Sequence, residues 1–145
     1  MTTPEIIDAT KQLSIIKSLN LYKPPFKIIN GYRLIDDGEN PEATVQIEAN
    51  GKSIHEASSG NGPVDALASV LKKALIPLFP KISNIQLIDY SAKILDSASG
   101  TGTIVYVEIT FTDGTCAWKA CSSSTNINAA SFHVLLDGFE YALVK

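Results

Sequence analysis

The feature that most constrains this chain is an internal repeat with a period of roughly sixty residues. A strand pattern, a hairpin signal and a helix start all occur twice, with one extra residue in the second hairpin. The matched pairs are VQIE at 45–48 with VEIT at 107–110, Asn50-Gly51 with Asp113-Gly114, and the helix starts at Pro63 and Asn126. One such unit is too small to bury a sheet face alone, so the two copies should pack as a pseudo-symmetric pair.

Each copy shows alternating apolar and polar residues in three stretches, followed by a helical period. The first copy (26–80) has predicted strands at 26–36, 43–49 and 52–57 and a helix from Pro63 that ends near Pro77 and Pro80, and the second copy (85–145) has predicted strands at 85–96, 104–111 and 115–120 and a helix at 127–143. We therefore predict an α+β fold of two pseudo-symmetric βββα units, with antiparallel sheets, helices packed on one face and a surface suited to a dimer.

The residues before the repeat form a separate pattern. Thr3-Pro4-Glu5 is typical of a helix start, and apolar residues follow at helical spacing to about Leu19. The prolines at 24 and 25 mark the change to strand periodicity. We expect residues 1–21 to be an N-terminal helix or linker and residues 22–145 to be one domain.

Composition and charge argue against several classes of protein. A formal net charge of −3, with no basic cluster longer than Lys72-Lys73, makes nucleic acid an unexpected partner. Two cysteines and two histidines are too few for a disulfide framework or a zinc site, so we predict no metal and no cofactor. No apolar stretch approaches the roughly 18–20 residues of a membrane span, and no basic leader is visible. These patterns predict a soluble, cytoplasmic protein without membrane contact.

Candidate chemistry is sparse. His55 and His133 stand apart from any nucleophile, and we interpret both as ordinary surface or structural residues. The segment Gly60-Asn61-Gly62-Pro63 is more informative, because glycines ahead of a helix expose N–H groups at the end where the dipole favours an anion. The alternative is a turn that needs glycine only for its backbone. A second glycine-containing turn, at 97–103, either closes over a ligand or is an exposed loop.

Six segments along residues 22–144 together resemble one known domain. They are YKPPFKII at 22–29, EATVQIE at 42–48, GNGPVDAL at 60–67, IQLIDYSAKILD at 85–96, GTGTIVYVEI at 100–109 and NINAASF at 126–132. In this order they resemble the C-terminal regulatory domain of the 2-isopropylmalate synthase and citramalate synthase family. YKPPF at 22–26 and FEYAL at 139–143 are closer to the citramalate synthase branch. AWKACSSS at 117–124 departs from the family pattern, which usually reads WGTVGVS.

The resemblance implies a homodimer that binds isoleucine or leucine and thereby inhibits the catalytic barrel domain of the same synthase. That barrel is not among these residues, so the chain alone is not expected to be an enzyme; it would be a regulatory fragment or a separate subunit. Carried over by matched positions, the effector-binding residues are Gly60, Asn61, Gly62, Val64, Asp65, Leu87, Asp89, Tyr90, Ile94, Thr101, Thr103 and Ile127.

The chemistry of these residues suits an amino acid. The helix start would hold the carboxylate, Asp89 the ammonium group, and aliphatic side chains the branched side chain. Binding would shift the population of dimer arrangements, with a coupling of roughly 1–3 kcal/mol. Two alternatives stay open: a dimerisation module without effector binding, and a small enzyme that uses His55, Asp65 or Tyr90.

Overall fold

The computed structural model describes residues 5–95 and 103–145. The chain divides into two compact units. Lys23–Ser83 forms the first-repeat unit, whereas the N-terminal segment up to Tyr22 joins Asn84–Leu143 and Lys145 in the second-repeat unit. Both units contain three consecutive strands followed by a helix, so the predicted α+β fold with a repeated βββα order is confirmed.

The secondary structure follows the predicted order, with two additional short elements. In chain order the elements are β1 (Ile6–Asp8), α1 (Ala9–Lys17), β2 (Lys27–Ile35), β3 (Glu42–Ala49), β4 (Lys52–Ser59), α2 (Pro63–Leu75), a 3₁₀-helix (Pro80–Asn84), β5 (Gln86–Leu95), β6 (Ile104–Thr112), β7 (Ala117–Ser124) and α3 (Ile127–Val144).

The first-repeat unit is an antiparallel sheet of order β2-β3-β4 covered by α2. Alternation along β3 buries Ala43, Val45 and Ile47 on the face that meets the apolar side of α2. The β3–β4 hairpin turns at Asn50 and Gly51, whose φ angles of +52° and +75° lie in the left-handed region that a two-residue turn of this type requires. The predicted hairpin at this position is therefore confirmed.

The second-repeat unit has four strands in the order β1-β7-β6-β5, packed against α3. The β5–β6 and β6–β7 pairs are antiparallel. Its core is aromatic, because the Phe111 ring stacks on Trp118 and meets Phe139 of α3 edge-on. The Trp118 indole N–H donates a hydrogen bond to the Gly138 carbonyl at 2.9 Å, and a Cβ at Gly138 would overlap the Phe111 ring.

The predicted start of the N-terminal helix is wrong. Ile6–Asp8 forms β1, which pairs in parallel with Ala117–Lys119 of β7, and α1 begins only at Ala9. The Asp8 carboxylate caps this helix by accepting from the Lys11 N–H at 3.1 Å. The β-branched pair at 6 and 7 suits a strand when a partner edge is present, and β7 supplies that edge. Thr3 and Pro4 lie outside the described residues.

Two smaller differences concern the sheet of the second-repeat unit. The β1–β7 pair makes this sheet mixed, where we predicted only antiparallel pairing. Strand β7 continues to Ser124 instead of ending at Ala120, because Ser122–Ser124 pair with Val105–Val107 of β6. Helix capping is left to Asn126, whose side chain accepts from the N–H groups of Asn128 and Ala129. The predicted turn at 97–103 lies outside the described residues except for Thr103.

Candidate functional site

The predicted effector residues fall into both units. Gly60 to Asp65 precede and open α2 in the first-repeat unit, and Leu87 to Ile127 belong to the second-repeat unit. Thr101 lies outside the described residues. We describe each group within its own unit.

The loop before α2 needs a glycine at position 60. The Gly60 N–H donates to the Pro41 carbonyl at 3.0 Å, and a Cβ at Gly60 would overlap the backbone of Ala66 in the first turn of α2. A side chain is therefore excluded by close approach of two backbone segments, which is one of the standard reasons for glycine before a helix. This contact holds the loop against the start of α2.

The start of α2 has no side-chain cap. Gly62 is the N-cap residue, Pro63 follows in the first turn, and the Ala66 N–H donates to the Gly62 carbonyl at 3.0 Å. Val64 and Asp65 belong to the first turn of α2, where backbone N–H groups have no acceptor within the helix, and Gly62 supplies none from a side chain. Such N–H groups at the positive end of a helix dipole are suited to an anionic oxygen.

Asp65 has a role within the loop itself. Its Oδ2 accepts a hydrogen bond from the Asn61 N–H at 2.9 Å. An acidic side chain in the first turn also complements the helix dipole. The carboxylate thus closes the loop over one turn of backbone, which ties Asn61 and Asp65 together at the helix start.

Strand β5 separates its predicted site residues onto two faces. Leu87, Tyr90 and Ile94 pair with Phe111, Ile109 and Val105 of β6, so they share the face that packs on α3. Asp89 pairs with Thr110 and projects from the opposite face. The extra residue Ile88 forms a bulge, which changes the alternation between Leu87 and Asp89.

Tyr90 is anchored by a residue that the sequence did not single out. Its hydroxyl lies 3.1 Å from the hydroxyl of Ser131, which is fully buried in α3. The tyrosine ring itself remains 39% exposed. The sequence feature that could have indicated this contact is a single serine among the apolar residues of the predicted helix, because a buried hydroxyl requires a hydrogen-bond partner.

Exposed apolar side chains gather along β5 and the start of β6. We call these residues the apolar strip: Ile88, Tyr90, Ile94, Leu95 and Ile104. Ile94 is the most exposed of them, at 74%. Ile127, the first residue of α3, is also exposed, and Thr103 is exposed immediately before β6. Tyr90 and Ile94 lie on one face of the sheet, and Leu95 and Ile104, which pair with each other, lie on the opposite face. Exposed large apolar side chains along an edge strand are typical of an interaction site.

A polar cluster fastens α1 to α3 within the second-repeat unit. The Thr10 hydroxyl donates to Asp137 Oδ2 at 3.3 Å, and Glu140 accepts from the Tyr22 hydroxyl and pairs with Lys17 at 3.4 Å. Burial raises the pKa of Asp137, and the Lys17 charge and the Thr10 hydroxyl act against that shift. Burial and the hydrogen bond to Glu140 also raise the pKa of Tyr22. These contacts join distant parts of the sequence, so no local pattern indicated them.

An ion pair holds the turn between β6 and β7, and it is the shortest one found in residues 5–95 and 103–145. Lys145 Nζ lies 2.7 Å from Asp113 Oδ2, and Asp113 Oδ1 accepts from the N–H groups of Cys116 and Thr115. Hydrogen bonds from the Cys116 backbone and from Lys145 hold the pKa of Asp113 well below its usual range. This arrangement stabilises the second hairpin, where the Asp113-Gly114 signal predicted a turn.

Neither a metal cluster nor a membrane span is found in the part of the chain that the structure describes. Over residues 5–95 and 103–145, no group of three or more His, Cys, Asp or Glu side chains converges on a possible metal position. No helix in these same ranges has the length and apolarity required to cross a bilayer.

Comparison with known proteins identifies the domain. Residues 7–143 match the family model described as the LeuA allosteric (dimerisation) domain. The chain belongs to this family, and the resemblance drawn from its six segments is confirmed.

Relatives of this chain include three proteins named (R)-citramalate synthase. The protein of Geobacter sulfurreducens is 35% identical over 144 residues, which cover 95% of this chain and 27% of that protein. The protein of Aquifex aeolicus is 36% identical, covering 97% of this chain and 28% of its own length. The protein of Synechocystis sp. is 34% identical, covering 96% and 27% respectively. The chain thus spans little more than a quarter of these relatives.

Proposed function

We propose that this chain is the allosteric domain of a citramalate or 2-isopropylmalate synthase and binds isoleucine or leucine for feedback inhibition. The observation that carries the proposal is the match to the LeuA allosteric domain along residues 7–143. The relatives named (R)-citramalate synthase favour the citramalate branch. The partner is then the catalytic barrel domain of the same transferase, and the chain needs no cofactor for its own role.

The start of α2 supports a site for the effector carboxylate. The N-cap residue Gly62 has no side chain, and a Cβ there would meet nothing within 4 Å. An anionic oxygen therefore has space to accept from the first-turn N–H groups of Val64 and Asp65. We assign the loop residues Gly60 and Asn61 to the shape of this site, because both are held by backbone hydrogen bonds.

The face of β5 that packs on α3 supports a site for the aliphatic side chain. Leu87, Tyr90 and Ile94 share this face, and Ile127 is exposed at the start of α3. Apolar walls of this kind, with a few polar groups, are typical of sites for small metabolites. Thr101 and Thr103 remain proposed contacts beyond the turn.

Asp89 is our proposed partner for the effector ammonium group. Within its unit it projects from the sheet face opposite Tyr90, so its role requires a separate test. We expect Asp89→Asn to lower effector affinity, because it removes the charge that would pair with the ammonium. Asp37→Asn, an exposed acid outside the proposed site, is the matched control and should leave affinity unchanged.

The effector part of the proposal is tested by calorimetric titration of the chain with isoleucine, leucine and valine. We expect saturable binding of isoleucine or leucine. At 100 times the dissociation constant this ligand should also add about 2.7 kcal/mol to the free energy of unfolding. Absence of binding and of a stability shift for every amino acid would overturn the effector assignment.

The apolar strip supports a homodimer. Replacing Ile94 by Asp places a charge in this strip and should shift the sedimentation equilibrium toward monomer. Ile35→Asp is the matched control, because Ile35 is also exposed at the end of the first strand of its repeat, at 64% against 74% for Ile94. Equal effects of both variants would contradict an interface at the strip.

The second candidate function is dimerisation without effector binding, and the family's own description as a dimerisation domain favours keeping it. The two functions differ in one measurable respect. A regulatory domain must bind its effector more tightly in one dimer arrangement than in another, with a coupling of roughly 1–3 kcal/mol. A chain that dimerises and binds no amino acid would support the second candidate.

A further inference from the structure

A small hollow lies beside an irregularity in β2 of the first-repeat unit. Ile29 pairs with Gln46 and Tyr32 pairs with Val45, so Asn30 and Gly31 have no partners on β3. Their φ angles are +59° and +68°, in the left-handed region. The two inserted residues interrupt the ladder and open a cavity of about 140 Å³ against the sheet.

The hollow lies on the sheet face that does not meet α2. Cross-strand pairing places Arg33 beside Thr44, and Ile29 beside Gln46 and then His55 of β4. These residues alternate with the buried positions of β3 that pack on α2. The hollow is therefore distinct from the loop that opens α2, where we propose effector binding.

The charge of the lining is positive or neutral. The Arg33 guanidinium, the His55 imidazole, the Gln46 amide and the Thr44 hydroxyl line the hollow, and none of the described residues that line it is acidic. Both Arg33 and His55 are exposed and accessible to a ligand. Donors therefore outnumber charged acceptors around this cavity.

Arg33 is the only arginine in the 145-residue sequence. No carboxylate lies within ion-pair distance of its guanidinium in the ranges 5–95 and 103–145. Arginine presents a planar fork of donors that matches the oxygens of a carboxylate or phosphate in a bidentate manner. A guanidinium that lines the hollow and has no carboxylate partner among the described residues is suited to this recognition.

We propose that this hollow is a second ligand site, which binds a small carboxylate or phosphate anion through Arg33 and His55. The cavity volume of about 140 Å³ suits a small anionic group and not a large ligand. Larger ligands usually occupy cavities of about 300–1,000 Å³. The Thr44 hydroxyl supplies a neutral hydrogen bond to the bound oxygens. Gln46 Nε2 donates to the Ser53 hydroxyl at 3.0 Å, which leaves its second N–H for the anion.

The two histidines of the chain provide a direct measurement. His55 lines the hollow, whereas His133 is exposed on α3 of the other unit. Titration of the full chain with inorganic phosphate, and separately with acetate, at constant ionic strength should shift the His55 imidazole NMR signal in a saturable manner. The His133 signal should not shift. Saturation with only one of the two anions identifies which chemistry the site prefers.

Variants separate ligand binding from effects on folding. Arg33→Gln should weaken anion binding at least about tenfold, because hydrogen bonds to a charged group are lost. Arg33→Lys retains the charge without the fork and should give an intermediate affinity. Lys52→Gln removes a positive charge from an exposed position outside the hollow lining and should have no effect.

The proposal is overturned if the His55 signal responds to sodium chloride as strongly as to phosphate or acetate, or if Arg33→Gln binds the anion as tightly as the unmodified chain. His55→Asn, followed through the backbone amide signals of Asn30 and Gly31, checks the assignment without the imidazole. Unchanged dispersion of the remaining amide signals verifies that each variant is folded. Isoleucine or leucine binding is expected to persist in Arg33→Gln, so failure of this site is distinct from failure of the effector site.

Discussion

The two repeats use the same order of elements and fill their cores differently. In the first-repeat unit, small and branched residues of β3 pack on α2. In the second-repeat unit, a stacked Phe111 and Trp118 pack on α3, and a further strand and helix are added from the N-terminal segment. The alternation of apolar residues therefore determines the order of strands and helix, and the same order is compatible with cores of different side-chain size.

The largest difference in stability between the two units should appear when a core side chain is truncated in the third strand of each repeat, β4 and β7. Trp118 pairs with Phe111 in the second repeat, and Ile54 pairs with Ile47 in the first. Trp118→Ala should lower the free energy of unfolding by about 3–5 kcal/mol, and Ile54→Ala by roughly 1–3 kcal/mol because Ile54 is only half-buried. Urea unfolding followed by circular dichroism measures both. A larger loss for Ile54→Ala would contradict the comparison.

The next effect concerns one helical position that both repeats share. Counted from the N-cap residues Gly62 and Asn126, Ala74 of α2 and Gly138 of α3 occupy the same place. Gly138→Ala should cost about 1–3 kcal/mol, because the new methyl group overlaps the Phe111 ring. Ala74→Gly should cost about 1 kcal/mol from lost helix propensity. Thermal unfolding measures the stability of both variants. A stabilising Gly138→Ala substitution would show that the Phe111 ring moves aside for the methyl group.

A pH-dependent effect should distinguish Asp137 of the second-repeat unit. Burial raises its pKa in the folded protein above the ordinary value of about 3.9. The folded state therefore binds the proton more tightly than the unfolded state, and the stability that this contributes is complete below about pH 3.9 and is lost as the pH rises through the folded pKa.

Asp137→Asn removes this titration. Its free energy of unfolding relative to the unmodified chain should increase between pH 4 and pH 7, the Asn side chain still accepting from Thr10. We expect no such trend for Asp37→Asn, an exposed change in the first-repeat unit. Chemical denaturation at several pH values measures both, and parallel curves for the two variants would contradict the burial of Asp137.

The smallest effects concern the two helix caps. Asn126→Ala removes hydrogen bonds to two N–H groups of α3 and should cost about 0.5–2 kcal/mol. Gly62→Ser adds a cap to α2 at a position where a Cβ meets nothing within 4 Å, and should stabilise the chain by a few tenths of a kcal/mol.

Gly62→Ser also sharpens the functional comparison of the two helix starts. If an effector carboxylate uses the α2 N–H groups, the serine hydroxyl competes for them and effector affinity should fall although stability rises. Calorimetry with isoleucine or leucine measures this. Unchanged affinity would assign the carboxylate to another part of the chain.

Much of the fold followed from local pattern. Alternation in β3, the Asn50-Gly51 signal and the helix start at Asn126 are short-range features, and each was found where the sequence indicated it. Strand β1 could not be predicted in the same way. Three residues carry too little periodicity, and Ile6–Asp8 form a strand only because β7 offers an edge from far along the chain.

The candidate site could be predicted only in part for a similar reason. The sequence singled out Gly60 as part of a helix start or a turn, whereas the structure shows that it is needed because a Cβ would overlap the backbone of Ala66. The separation of Asp89 from Tyr90 depends on the bulge at Ile88, and that irregularity has no clear signal in composition. The sequence did not single out Arg33, because two tertiary features make it notable. It has no ion-pair partner among the described residues, and two inserted residues of β2 open a cavity beside it.

The parallel pairing of β1 with β7 has a consequence for the order of folding. The Thr10 hydroxyl accepts from the Cys121 N–H at a separation of 111 residues, so this sheet is completed only after a long loop has closed. The three strands and the helix of the first-repeat unit all lie within Lys23–Ser83. Loop-closure entropy delays contacts between residues that are distant in the sequence. We therefore expect the amides of Lys23–Ser83 to gain protection from hydrogen exchange before β1 pairs with β7.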